Sequence, residues 1–306
     1  MACVEPCSIG VFEAGYMAKT KGEVLKFFIN HGVLKDVIVC RCGNTLKMDG
    51  KMTFRCNKMV LRKKRAPKKC GFCISARKGT FLENSKLAID KIFLLVNLLL
   101  NWRPPRQEAA LEELGISSTT MVDWYSYCRE VFISFAINNS TKLGGPGSII
   151  EIDEAKFGKR KFNKGRLFRG QWIFGGYERS TGNFFVIPVE RRDADTLLGI
   201  IRDWILPGTT IYSDCWKAYN CLAHEGFHHQ TVNHSKHFVD PETGTHTNHI
   251  ERLWREVRSN IPKYGVKEAH FVGYLAEFYF KRRYPKRLER MHHFFKAASE
   301  LYPPAY

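Results

Sequence analysis

The sequence is short of acid. It holds 30 Asp and Glu against 48 Lys and Arg over 306 residues, a formal charge of +18. From Lys51 to Lys78 there are eleven basic residues and no carboxylate. Long apolar runs are missing too. The longest, Ile92 to Leu100, is broken by Asn97 and is far shorter than a bilayer span requires. No basic segment followed by an apolar h-region opens the chain, so no secretory signal is expected. Internal repeats are absent, which excludes a solenoid. These absences remove membrane roles and point to a reducing compartment, nuclear in a eukaryotic host and cytoplasmic otherwise. The ten cysteines are then poor disulfide candidates.

What is present is 44% hydrophobic and 13% aromatic residues, too much for a disordered polybasic tail and enough for a packed core. A soluble chain this basic meets a polyanion. The charge is uneven: residues 1–100 carry 19 Lys and Arg against 7 Asp and Glu, residues 101–150 carry 4 against 5, and residues 151–306 carry 25 against 18.

Five stretches follow from the pattern. Residues 1–37 are helical in part (Lys21 to Asn30) and carry no evident chemistry. Residues 38–80 are rich in Cys and basic residues but poor in large apolar ones, so something other than a core must hold them. Residues 81–142 read as helices: Ser85 is placed to cap Leu87 to Leu100, Pro104-Pro105 interrupts, Arg106 to Leu114 resumes, and Ser117 or Ser118 caps a helix towards Phe135. After the linker Leu143 to Ser148, residues 148–285 change grammar, and 286–306 form a tail. Strands are expected at Ser148 to Phe157, Gln171 to Tyr177, Asn183 to Val189, Thr209 to Ser213 and Gln230 to Asn233. Helices are expected at Asp195 to Ile205, Trp216 to Leu222 and His249 to Ser259. Three strands followed by alternating helices and strands describe an α/β sheet flanked by helices.

In so basic a chain, carboxylates with apolar flanks stand out. In Ile149-Ile-Glu-Ile-Asp-Glu154, Ile150, Ile152 and Glu154 share one face and Glu151 and Asp153 the other. Asp214 ends the apolar strand Thr210-Ile-Tyr-Ser-Asp214, and Glu251 lies early in the helix that carries Trp254. Any one of these acids alone suits a cap or a solvated strand end. Together, at two strand ends and one helix, they suit hard divalent metals and phosphoryl transfer.

From about Ile149 to Pro285 the chain resembles the DDE transposases of the Merlin type, relatives of the insertion-sequence ISXO-type transposase domain. The carrying residues are Glu151-Ile-Asp153-Glu154, Lys156-Phe-Gly158, Gly170-Gln-Trp172-Ile-Phe-Gly175-Gly176, Arg191 to Asp195, Tyr212-Ser-Asp214-Cys-Trp-Lys-Ala-Tyr219 and His246-Thr-Asn248-His-Ile-Glu251-Arg-Leu-Trp254. The resemblance implies an RNase H-like mixed sheet flanked by helices, with Asp153, Asp214 and Glu251 as a catalytic triad for Mg²⁺ or Mn²⁺. Some relatives have Asn where Glu251 stands. The family often has Lys seven residues after this acid, where this chain has Arg258, two turns along the same helix face and suited to a phosphate contact or to solvent. The partners implied are double-stranded DNA, as transposon ends and target, and at least a second copy of the chain. The activity implied is metal-dependent strand cleavage and strand transfer. A domesticated DNA-binding protein without transposition activity is the alternative, and a host nuclease with the same fold is a further one.

Cys40-Arg-Cys42, Cys56 and Cys70-Gly-Phe-Cys73 put five thiols within 34 residues, which reads as a zinc-ribbon-like module holding structural Zn²⁺. The family resemblance favours Cys40, Cys42, Cys56 and Cys70, whereas local spacing favours Cys73 as a ligand. Cys3, Cys7, Cys128, Cys215 and Cys221 read as ordinary thiols. Between the ligands, Arg62, Lys63, Lys64, Arg65, Lys68 and Lys69 form a patch for DNA phosphates, for nuclear import or for both. Arg106 to Phe135 suits a helix-turn-helix turning at Gly115, with Thr119, Thr120, Asp123 and Trp124 opening the helix that would enter the major groove; an ordinary helical hairpin is the other reading. His224, His228, His229, His234 and His237 read as core or DNA-facing residues, and His249 as a group that could orient water or phosphate.

Overall fold

The computed structural model describes residues 3, 5–62, 65–104, 106–158, 170–216, 219–233, 239–242, 244–262 and 266–306, the side chains of Arg62 and Arg65 excepted. The chain divides into two compact units: one joins Met1–Phe135 to Phe280–Tyr306, and the other is Ala136–Tyr279. Among the described residues no helix is long and apolar enough to cross a membrane.

The first unit opens with α1 (Val11–Lys19) and α2 (Glu23–Asn30). Six short strands follow: β1 (Val37–Val39), β2 (Thr45–Lys47), β3 (Thr53–Arg55), β4 (Met59–Arg62), β5 (Arg65–Lys69) and β6 (Cys73–Ser75). They form three separate antiparallel pairs, β1–β2, β3–β6 and β4–β5. The basic patch thus falls partly in an antiparallel pair, with Val60 opposite Lys68 and Arg62 opposite Arg65. The helices α3 (Ile89–Asn101), α4 (Gln107–Leu114) and α5 (Ser118–Asn139) come next. Ser85 does not cap α3: its Oγ accepts from Leu87 N at 3.1 Å, and the helix starts after Ala88. Ser117 does cap α5, accepting from Thr120 N at 3.1 Å, and Gly115 ends α4 in the left-handed conformation at φ 55°.

The second unit contains β7 (Leu143–Gly144), β8 (Ile149–Phe157), β9 (Gln171–Glu178), β10 (Phe184–Val189), α6 (Ala194–Trp204), β11 (Ile205–Leu206), β12 (Thr210–Asp214), β13 (His228–Val232), α7 (Asn248–Asn260) and most of α8 (Phe271–Arg283). The main sheet has five strands in the order β10-β9-β8-β12-β13. The first three are antiparallel, and β12 runs parallel to both β8 and β13. Alternation along β8 serves two cores. Ile150 and Ile152 pack with Phe174, Leu197 and Ile201 on the α6 side. Ala155 and Phe157 pack with Leu253, Trp254, Val257 and Phe278 on the side of α7 and α8. Of the helix expected from Trp216 to Leu222, Lys217 and Ala218 lie outside the described residues. From Tyr219 on, the described residues show a turn and a short 3-10 helix, Leu222–Glu225, and Asp214 Oδ1 accepts from Trp216 N at 3.0 Å.

The expected tail is not extended: residues 290–301 form α9 (Arg290–Leu301) in the first unit. Its Phe294 and Phe295 join an aromatic cluster in which Phe27 meets Phe93 and Phe28 meets Phe295, each at 5.0 Å between centroids. The greasy run of α3 lies at this centre, buried all round from Val96 to Asn101. Its last carbonyls accept from cations: Leu99 O from Lys281 Nζ at 2.7 Å and Leu100 O from Arg290 Nη1 at 3.1 Å.

In the second unit, α7 needs its own anchor, because Thr247 provides no side-chain cap. The fully buried Glu151 of β8 supplies it. Its Oε2 accepts from His249 N at 2.9 Å and Ile250 N at 3.0 Å. Its Oε1 accepts from Arg179 Nε at 2.7 Å and lies 2.7 Å from His249 Nδ1. Removing one partner of a buried charge network costs about 3–5 kcal/mol. Glu151→Ala is therefore expected to lower stability by that order in urea unfolding, and Glu151→Gln, which keeps an acceptor, by less. A Glu151→Ala protein as stable as wild type would show that α7 is held by other means.

Candidate active site and metal-ligating clusters

The ladder between β8 and β12 ends at Tyr212 opposite Glu151. Two residues further along each strand stand Asp153 and Asp214, side by side where the strands part. Asp153 is held by Trp254 of α7, whose Nε1 donates to Oδ2 at 2.8 Å. The indole reaches it across β9, where Gly175 faces Asp153 in the register. A Cβ at Gly175 would come within 2.7 Å of the Trp254 ring, so the glycine is needed for close approach.

Burial pushes the Asp153 carboxyl up to about 7; the Trp254 hydrogen bond opposes this, and the charges of Glu154 and Asp214 add to it. Glu154, on the opposite face, is also raised by burial. It accepts from the Tyr219 hydroxyl and, at 3.2 Å, from Arg192 Nη2. The Arg192 guanidinium lies 4.4 Å from the Trp216 ring centroid and 5.2 Å from that of Trp172. The aromatic residues of the motifs thus act as hydrogen-bond donors to the acids, since Trp254, Tyr219 and the Trp216 backbone each donate to one of them.

Glu251 is exposed on α7, one turn before Trp254 and on the same face. Among the described residues three groups bring metal-ligating atoms within 4.8 Å of one another, and Asp153, Asp214 and Glu251 are not one of them. Arg258 is exposed further along α7, its guanidinium 5.0 Å from the Phe157 ring centroid. His249, expected to face water or phosphate, instead turns to Glu151 and stacks on Tyr177. Glu151, His246 and His249 are one of the three groups. Arg179 already supplies its positive charge, with Nη2 2.8 Å from His246 Nδ1, so a cation there would meet repulsion. His224 and His228 are exposed, and His229 Nε2 lies 2.8 Å from Ser213 Oγ. His234 and His237 lie outside the described residues.

The second group is Cys40, Cys42, Cys56 and Cys70. The strands β1, β3 and β5 each end on one of these thiols, and Cys42 follows two residues after Cys40. Cys40 Sγ lies 3.6 Å from Cys70 Sγ, and Cys42 Sγ 3.5 Å from Cys56 Sγ. The Phe72 backbone N–H draws the Cys70 thiol down to about 7. At Cys40 the backbone N–H of Cys42 favours the thiolate, but burial and the neighbouring thiols prevail and push it up to about 12. Cys73 is exposed and stands apart from the cluster, opposite Arg55 in the β3–β6 pair. Lys68 and Lys69 are exposed on β5, while Lys63 and Lys64 lie outside the described residues.

The third group, Cys3, Cys7, His31 and His292, is not anticipated by the sequence pattern. Burial lowers His31 to about 4 and raises Cys7 to about 12. Spacing could have flagged only Cys3 and Cys7, since the histidines lie 24 and 285 residues beyond Cys7. In the helical segment, Thr119 and Asp123 are exposed, but Trp124 is buried with its ring 5.4 Å from Phe81. Trp124 is therefore a core residue.

Residues 142–283 match the family model described as the ISXO2-like transposase domain. An uncharacterized transposase-like protein of Haemophilus influenzae is 32% identical over 94 residues, which are 30% of this chain and 75% of that protein. Among solved structures, a simian T-cell lymphotropic virus intasome in complex with PP2A regulatory subunit B56 gamma is 17% identical at a TM-score of 0.30, covering 55% of this chain. The chain spans 62% of the length of that structure's chain. A Drosophila P element transposase strand transfer complex is 16% identical at a TM-score of 0.29, covering 72% of this chain and 67% of that one. Likenesses this loose carry no argument about fold or chemistry. The domain match and the Haemophilus relative do, and by them this chain belongs to the ISXO2-like transposase domain family.

Proposed function

We propose that this chain is a DDE transposase of the Merlin type, in which residues 148–285 form an RNase H-like catalytic domain that cuts and joins DNA. The observation that carries this reading is the pair of aspartates on adjacent strands, Asp153 within β8 and Asp214 at the end of β12, with Asp153 tied through Trp254 to the helix that bears Glu251. The five-stranded mixed sheet with helices on both faces supports the fold.

The donor set suits Mg²⁺ or Mn²⁺. It is all carboxylate oxygen, and burial, with the neighbouring charges adding, lifts Asp153 to about 7. Asp153, Asp214 and Glu251 would hold the metal, which when bound supplies Lewis-acid polarisation of phosphate oxygens and a more acidic water. The protein's own part is positional. Trp254 fixes the Asp153 carboxylate, Tyr219 and Arg192 fix Glu154, and Arg258 lies on the Glu251 face of α7 for a DNA phosphate. The overall reaction is hydrolysis of a phosphodiester at the transposon end, followed by attack of the freed 3′-hydroxyl on target DNA with release of another 3′-oxygen. Cutting at paired ends calls for at least a dimer.

Binding to double-stranded DNA is assigned to the first unit. Its β4–β5 pair would be held by Zn²⁺ on Cys40, Cys42, Cys56 and Cys70, and the basic residues Arg62, Lys63, Lys64, Arg65, Lys68 and Lys69 would grip the terminal repeats. The helix-turn-helix-like segment would add Thr119, Thr120 and Asp123.

Three outcomes test this. With Mg²⁺ and DNA carrying the terminal repeats, wild type should nick and join strands. Asp153→Asn, Asp214→Asn and Glu251→Gln should each lose activity by at least about 100-fold, as expected when a metal-held phosphoryl site loses a ligand. Cleavage without joining would favour a host nuclease, and equal behaviour of all four proteins would sink the assignment. Lys68→Gln with Lys69→Gln should weaken DNA binding and lower the salt slope by about 2; an unchanged slope would remove these residues from the DNA contact. The third outcome concerns pH. The Asp153 pKa is raised from its ordinary value to about 7 in the folded state. Its contribution to stability is then complete below about pH 4 and is lost as pH rises to about 7. Metal-free melts should show that fall, Asp153→Asn should flatten it, and Mg²⁺ should raise Tm more at pH 8 than at pH 5. An equal Mg²⁺ effect at both pH values would separate the metal from Asp153.

A further inference from the structure

We propose that Cys3, Cys7, His31 and His292 form a second structural zinc site, separate from the four-cysteine one, that fastens the start of the chain to its last helix.

Four groups converge from three remote parts of the sequence: two thiols before α1, an imidazole just after α2, and an imidazole in α9. A tetrahedral zinc with Zn–S about 2.3 Å and Zn–N about 2.0–2.1 Å requires edges of about 3.5–3.6 Å between sulfur and nitrogen and about 3.3–3.4 Å between nitrogens. Cys7 Sγ lies 3.4 Å from His31 Nε2 and 3.8 Å from His292 Nδ1. Cys3 Sγ lies 3.6 Å from His292 Nδ1, and the two ring nitrogens are 3.1 Å apart. These are four of the six edges of one coordination tetrahedron, each within about 0.3 Å of the requirement, and all four ligand atoms lie within 4.8 Å of one another.

The shell behind the ligands is in place as well. His31 Nδ1 lies 2.8 Å from the Phe27 carbonyl oxygen, to which it must donate. That leaves the Nε2 lone pair facing the thiols, the arrangement that orients metal-bound histidines. The His31 ring is also stacked on Phe27 at 3.8 Å between centroids. Both histidines are buried and both cysteines are partly buried, so four protein ligands would close the site as in structural rather than catalytic zinc centres. Zinc binding would displace a proton from each thiol to solvent and leave a neutral two-thiolate, two-imidazole centre. The neighbouring backbone is already joined in the same sense: Cys3 N donates to Asn30 O and Ile9 N to Leu288 O, each at 2.8 Å.

The test uses the full chain, purified under reducing conditions and dialysed against Mg²⁺ to clear carboxylate-bound zinc. Native mass spectrometry should find two zinc ions per chain, one after Cys42→Ser, and one after Cys7→Ser or His292→Ala. Zinc-edge X-ray absorption on wild type should give a mean shell of three sulfurs to one nitrogen, a measurement that needs no variant to fold. His292→Cys should keep two zinc ions and raise the sulfur share, which a mere hydrogen-bonded cluster would not do. One zinc per chain with an all-sulfur shell, or a Cys3–Cys7 disulfide in the reduced preparation, would overturn the proposal.

Discussion

The arrangement of the second unit depends on one buried carboxylate. Glu151 lies fully buried near the start of the central strand, where an unpaired charge would cost several kcal/mol. It is made tolerable by four partners, two of which are the free N–H groups opening α7. The same contacts that satisfy the acid dock the helix on the strand. Once α7 is docked there, Trp254 falls opposite Gly175 and reaches Asp153, and Glu251 falls one turn earlier on the same face. Glu151 is therefore a positioning residue whose effect reaches the candidate site through the helix.

A division of labour along β8 follows from its alternation. Ile150 and Ile152 bind the strand to α6, Ala155 and Phe157 bind it to α7 and α8, and the acids sit between these anchors. The strand is held on both faces while its carboxylates stand at the opening beside β12. Burial by that packing is the main cause of the raised Asp153 and Glu154, and the neighbouring charges add to it.

Much of this is legible in the residues. Alternating apolar positions mark β8, β9, β10 and β12 to within about two residues, the usual precision of such boundaries, and the grouping of Cys40, Cys42, Cys56 and Cys70 matches the set favoured by resemblance. What escapes is information that sequence spacing does not hold. Alternation shows Glu151 as a face-mate of Asp153, but not as the cap of a helix nearly a hundred residues away. Trp124 sits where a recognition helix would start, yet its ring is claimed by Phe81 in the core. His31 and His292 meet only because α9 returns to the first unit.

That return has a consequence for synthesis. The second unit, residues 136–279, is inserted within the first, whose aromatic core needs Phe294 and Phe295 from the far side of the insertion. On the ribosome the sheet can close as soon as its own residues have emerged, since domains fold as units and in order of appearance. The earlier-made helices must wait: α3 stays apolar on all sides, with its last carbonyls unpartnered by Lys281 and Arg290, until the closing helix is made. The part of the protein assigned to gripping DNA is thus completed after the part assigned to cutting it.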